Sequence, residues 1–222
     1  MKGTIGRRIL FFLLAMVALI QTRAMGAQSP PSQTSKTIRA WMDQRNQFLS
    51  RYLAVVRQAT HDYQYGYRTP PALMPVALDL FTGYVARIHE VQERFIYPAV
   101  RAGMDAEQQR MLNLIEQDQR EEGEAVKRWQ QALAEFQPGT SMASLVESIE
   151  YVGRMLNRHL VLCEEHVCPV LDSLPAPQQR EILARIAAFE RQELGGAAGE
   201  LRYEQLLTGI EEQIQAIAGR IW

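Results

Sequence analysis

Apolar residues recur along this chain at helical spacing in four long stretches, and in each the apolar face is interrupted near its middle by polar side chains. From Ile38 to about Thr60 the seam reads Ile38, Trp41, Met42, Phe48, Leu49, Tyr52, Val55, Val56 and Ala59, with Arg45 inside it. The segment from His61 to Pro75 (HDYQYGYRTPPALMP) is an aromatic, proline-rich connection. A second helix is expected from near Val76, with Phe81, Val85, Ile88 and Phe95 on one side and His89 and Glu93 at its border. Pro98 is expected to bend or end that helix and Gly103 to close it. Asp105 suits the N-cap of a third helix running to about Phe136, whose seam is Leu112, Ile115, Gln119, Glu122, Val126, Trp129, Leu133 and Phe136. Pro138-Gly139 makes a turn, and Thr140 or Ser141 caps a fourth helix through Leu145, Ile149, Val152, Leu156, His159, Cys163, His166 and Val170. Pro175-Ala176-Pro177 breaks the chain again. Two further amphipathic helices follow, about 177–194 and 199–221, parted by Gly195-Gly196 and expected on the outside.

The four seams predict an all-α fold: an up-down-up-down four-helix bundle over 38–174 with two additional C-terminal helices in 175–222. Ahead of it, Lys2, Arg7 and Arg8 precede twelve uninterrupted apolar residues, Ile9 to Ile20, followed by small ones; residues 1–27 therefore read as a signal peptide cleaved near Ala24 or Ala27. Twelve residues fall short of the roughly 20 that a spanning helix needs. Arg7-Arg8 also permits a twin-arginine reading, but the flanking residues match it poorly, so the general secretory route is expected. Residues 28–37 (QSPPSQTSKT) form a polar tether expected to be disordered. The predicted location is periplasmic or secreted, with no membrane association after cleavage. Without the four basic residues of the signal, 20 basic residues face 25 acidic ones, and the mildly acidic balance argues against nucleic acid as a partner. No nucleophile triad, phosphate loop or nucleotide motif is present, so an enzymatic role has no separate support in the sequence.

The polar interruptions carry the candidate chemistry. His89 and Glu93 stand four apart, and on a helix that spacing lets an imidazole and a carboxylate grip one ion. His159 opens a second segment (HLVLCEEHVCP) with acidic residues and a proline in the same order. At similar heights the four helices would contribute Arg45, His89, Glu93, Gln119, Glu122, His159 and Cys163 to one inward layer. Unpartnered buried charge costs several kcal/mol, so the layer is either a ligand site or a satisfied ion-pair network; the two look alike in sequence. Cys163 is either a thiolate ligand or a small core residue, and His166 an outer partner or a solvated side chain. Cys163 and Cys168 should not pair with each other. Five residues along an intact helix separate the Cα atoms too far for a disulfide.

Over roughly residues 38 to 172 these features resemble the hemerythrin-like family of H-H-x-x-x-E cation-binding bundles. RFIYPAV after Glu93, EEHVCPVL after His159 and LIEQDQREEG in the third helix are similar to its ligand segments. LGGAAGELRYEQLL is similar to the C-terminal extension of some members. The resemblance implies a bundle holding two irons through a His on helix one, H-x-x-x-E on helix two, a His on helix three and H-x-x-x-E on helix four. Here Arg45 or Gln44, Gln119 and Cys163 stand at three of those positions, which leaves His89, Glu93 and His159. The expectation is therefore one ion, iron or zinc, held by His89, Glu93 and His159 with Cys163 as fourth ligand, and open to a small ligand. Arg45 is expected to pair with Glu122 or Asp118. Such a module would serve sensing, storage or small-ligand binding. The alternative is a metal-free structural or protein-interaction bundle in which an Arg/Glu network replaces the metal site.

Overall fold

The structure, a computed structural model, describes residues 37–64, 73–136 and 143–218, and among these are six helices and no strand. The expected signal peptide and nearly all of the tether lie outside the described residues, as do Pro138-Gly139, the Thr140 and Ser141 caps and much of the aromatic connection.

Helix α1 is Ile38–Gln64. Helix α2 covers residues 73–101 and is not uniformly wound: single π turns at Phe81–Val85 and Gln92–Ile96 are set between the α-helical pieces Leu73–Leu80, Ala86–Val91 and Tyr97–Arg101. Pro98 therefore does not end the helix. The Tyr97 N–H reaches back five residues to the Gln92 carbonyl. The wider turn gives the proline ring room where a regular turn would press it onto the carbonyl four residues back. Helix α4, residues 143–173, solves the same problem in the same way. Its π turn Cys163–Val167 is closed by the Cys168 N–H on the Cys163 carbonyl, immediately before Pro169.

Helix α3, Ala106–Glu135, starts at the expected cap. The Asp105 carboxylate accepts from the Gln108 N–H at 2.8 Å, and the Gln108 side chain accepts from the Asp105 N–H at 3.0 Å. Helix α5, Ala176–Leu194, stops at Gly195 and Gly196, whose φ angles of 74° and 64° lie in the left-handed region that favours glycine. Helix α6 is Ala197–Ala218.

Helix α3 lies along α4, α4 along α1, and α2 against α3, while α5 and α6 cover α1 and α2. The core is filled by large side chains, with Trp129, Tyr52, Tyr84, Tyr97 and Phe48 fully buried. Ile182, Ile186, Phe189, Leu207, Ile210 and Ile214 from α5 and α6 join the same apolar cluster, so the two helices share the core rather than resting on a polar surface. None of the described helices is long and apolar enough to cross a membrane.

The placement of α5 and α6 corrects the expectation for Arg45. Its guanidinium is buried, but it faces Glu190 of α5 at 2.8 Å and Glu200 of α6 at 2.6 Å, not Glu122 or Asp118. Trp41 donates its indole N–H to the same Glu190 at 3.0 Å. Asp118 is meanwhile taken by Arg158, one helix over.

Candidate metal centre

The inward polar layer draws on three helices. The α-helical stretch Ala86–Val91, between the two π turns of α2, carries His89. Helix α3 contributes Gln119 and Glu122 from the middle of its seam. Helix α4 contributes His159 in its last regular turn and Cys163 as the first residue of its π turn. All are buried; His89 is 7% exposed, Glu122 2%, His159 1% and Cys163 0%. The imidazoles meet with ring centroids 4.7 Å apart and 38° between planes. His89 Nδ1 lies 3.3 Å from Glu122 Oε2, and His159 Nε2 lies 3.6 Å from Cys163 Sγ.

Beside this pair of contacts runs a neutral hydrogen-bond network. The Gln119 amide donates to Gln92 Oε1 and to the Tyr97 hydroxyl, both at 3.0 Å, and Tyr97 donates to Gln92 Oε1 at 3.1 Å. Tyr97 also lies 3.9 Å from Cys163 Sγ, and the Gln92 amide points at Met42 Sδ at 3.6 Å.

Burial sets the charge state. It holds the His89 imidazole well below its ordinary value, with His159 adding to the effect, and pushes His159 down to about 4. Burial lifts Glu122 well above the usual carboxylate range, with Asp118 adding to it. The Cys163 thiol is pushed up to about 12 by burial, against the opposing hydrogen bond from Tyr97. Each of these shifts favours the uncharged form of its group. Neutral imidazoles are the form that binds metals, whereas the carboxyl and the thiol would have to release protons to do so.

How well these residues fit a cation can be tested on the atoms. Ligands of one tetrahedral ion, bound at about 2.0 to 2.3 Å, sit roughly 3.3 to 3.6 Å from each other. The His89–Glu122 and His159–Cys163 contacts both have that length, which is also that of a long hydrogen bond. His89 Nε2, His159 Nδ1, Glu122 Oε1 and Gln119 Oε1, which are different atoms from those in the two contacts, are buried without a hydrogen-bond partner, a costly condition that a cation would relieve at the atoms it touched. Yet among the described residues no three His, Cys, Asp or Glu side chains form a group that could hold an ion. The donors fit in pairs, and a third would join only by rotating.

The structure brings together His89, His159 and Cys163 as the sequence suggests, but the expected position of Glu93 needs correcting. Its side chain is exposed, among Glu116, Arg120 and Glu90 at the surface. The inward seam of α2 passes through Ile88, His89, Gln92, Ile96 and Tyr97. Gln92 opens the π turn and takes the interior place, leaving the next residue outside. The proline positions carry a signal for this. Cys163 lies six residues before Pro169, and six before Pro98 is Gln92; Glu93 corresponds instead to Glu164, which is also exposed. The carboxylate in the layer is Glu122, recognisable as a seam residue though not as the His89 partner. His166 is outside the layer, 3.8 Å from Glu165. Cys163 and Cys168 are both buried free thiols, as expected.

No curated protein and no solved structure matches the chain. A family model does, that of the hemerythrin HHE cation-binding domain, over residues 37–171. That span runs from the start of α1 to the last turn of α4 and takes in every residue of the polar layer. The chain belongs to the hemerythrin HHE cation-binding domain family.

Proposed function

We propose that the protein binds a single cation, iron or zinc, in its interior layer, with His89, His159, Glu122 and Cys163 as the donor set. The observation that carries this reading is the buried His89–Glu122 pair beside His159, with a buried polar atom on each of the three left without a hydrogen-bond partner. A carboxylate on the far nitrogen of a metal-binding histidine is a common way of fixing its ring, and Glu122 serves either in that role or as a ligand itself. Bound there, the ion would supply a Lewis-acid or ligand-binding centre for sensing, storage or capture of a small molecule. Gln119 stands where the family resemblance implies a helix-three histidine, so a second ion lacks donors. The measurement is metal content of protein purified without a metal-binding tag. About one ion per chain is expected, lost in His89→Ala and His159→Ala, reduced in Glu122→Gln and retained in Glu93→Gln. Two ions per chain, or one that survives both histidine substitutions, would refute the assignment.

A second reading has its own support. The Gln92–Gln119–Tyr97 network is neutral and internally bonded, and no three donors converge among the described residues, which suits a bundle that has exchanged its metal for hydrogen bonds and serves as a structural or interaction module. Protein that contains no metal and takes up neither added iron(II) nor zinc decides for this reading.

The same proposal includes the organisation: an export signal over 1–27, a tether over 28–37, an up-down-up-down bundle over 38–174 and a helical extension over 175–222, in a periplasmic or secreted protein. N-terminal sequencing of the exported protein should begin near Ala24 or Ala27. An intact Met1 on material recovered from the cytoplasm would count against it.

A further inference from the structure

Away from the polar layer, α1 and α4 part to leave a cavity of about 370 Å³ open to solvent, a volume within the range of small-ligand sites. Its apolar wall is made by Val56 and Ile149, both buried, and by Gly153, which brings no side chain. Its rim carries two guanidinium groups, Arg57 and Arg154. We infer that this cleft is a binding site for a small organic carboxylate, the two arginines taking the carboxylate and the apolar wall taking its hydrocarbon part.

Three features favour that chemistry. Arg57 is exposed at the mouth of the cleft and its guanidinium makes no ion pair among the described residues. Arg154 lies over the Tyr151 ring at 5.7 Å, a contact that orders its long side chain. Thr60 cannot contribute a proton, because its hydroxyl lies 2.9 Å from the Arg57 carbonyl and 3.2 Å from that of Val56. The arginines are thus the donors, and a guanidinium fork matches the two oxygens of a carboxylate.

Glu150 on the same rim selects between anions. Glu150 and His61 each have interactions of their own, so neither is a free group waiting for the ligand. A nearby carboxylate penalises a dianion more than a monoanion, which disfavours phosphate and favours a monocarboxylate with an apolar body. The site is independent of any cation at His89 and His159.

The test is calorimetric titration of hexanoate into the protein in the presence of a chelator, with acetate and inorganic phosphate as comparators. Saturable binding at one site per chain is expected, with acetate and phosphate at least tenfold weaker. Arg57→Gln and Arg154→Gln, both exposed and safe for folding, should each weaken hexanoate about tenfold. Absence of saturable hexanoate binding, phosphate binding as tightly as hexanoate, or arginine variants that bind like the wild type would each overturn the proposal.

Discussion

Burial favours the uncharged forms of His159, His89 and Glu122, and the three bias stability in opposite directions with pH. In the metal-free protein His159 titrates at about 4 against 6.5 for an unperturbed imidazole, and His89 is also held well below 6.5. Between those values the unfolded chain binds protons that the native state does not, so each imidazole makes stability fall as pH falls through the window. Glu122 does the reverse: its raised pKa lets the native state keep a proton that the unfolded chain releases above 4.5, so its contribution declines as pH rises from there. In urea unfolding with chelator, His159→Gln should make the change in stability between pH 4 and 6.5 less positive by on the order of 3 kcal/mol. A slope unchanged by the substitution would mean that the native imidazole titrates normally. These residues are legible in the sequence to different degrees. The two histidines and Cys163 stand out because a polar side chain at helical spacing in an apolar seam is carried into the core, where it needs a partner. Glu93 misleads because the i to i+4 argument assumes an unbroken α-helix, and the turn beginning at Gln92 is not one.

At the scale of the helix, the two interior prolines explain most of what regular periodicity misses. Pro98 and Pro169 each follow a π turn, and each turn starts with a layer residue, Gln92 in one case and Cys163 in the other. Their positions are visible in the sequence; the widened turn that absorbs them is not, because proline more often stops a helix. The third π turn, Phe81–Val85, has no proline and answers instead to a partner on α6. A Cβ at Gly83 would come within 2.6 Å of the Tyr203 hydroxyl oxygen and 3.0 Å of its ring, while that ring stacks on Tyr84 at 5.0 Å. Gly83→Ala should therefore destabilise by about 1 to 3 kcal/mol in chemical denaturation, overriding the roughly 1 kcal/mol that alanine gains in a helix interior. Tyr203→Ala should abolish the penalty, so that Gly83→Ala in that background is neutral or stabilising. If Gly83→Ala stabilises the otherwise unaltered protein, the tyrosine does not rest on the turn. The Phe81 ring of the same turn lies edge-on to His89 at 6.4 Å, so the notch for Tyr203 also borders the layer.

For the molecule as a whole, the arrangement of α5 and α6 is the least legible feature. Their amphipathic pattern announces two helices, but nothing in a one-dimensional pattern states which face of which neighbour they cover. Arg45 shows the consequence: a charge in an apolar seam requires a partner, and the nearest polar seam residues are Glu122 and Asp118, whereas the partners lie about 150 residues away at Glu190 and Glu200. The cluster joins three helices in a poorly hydrated setting, with side-chain exposures of 5% for Arg45, 12% for Glu190 and 22% for Glu200. The guanidinium also sits over Trp41 at 5.2 Å and Tyr84 at 5.8 Å. Removing one partner from such a cluster leaves uncompensated buried charge, whereas removing all the charges together is often close to neutral. Arg45→Met alone should therefore cost about 3 to 5 kcal/mol, and Arg45→Met with Glu190→Gln and Glu200→Gln should recover most of it. Hydrogen exchange supplies the structural check, because protection over 176–218 should fall first in the single variant and return in the triple one. A single variant as stable as the wild type, or a triple variant no better than the single one, would mean that the apolar contacts of Phe189, Leu207 and Ile210 hold the two helices without help from the charges.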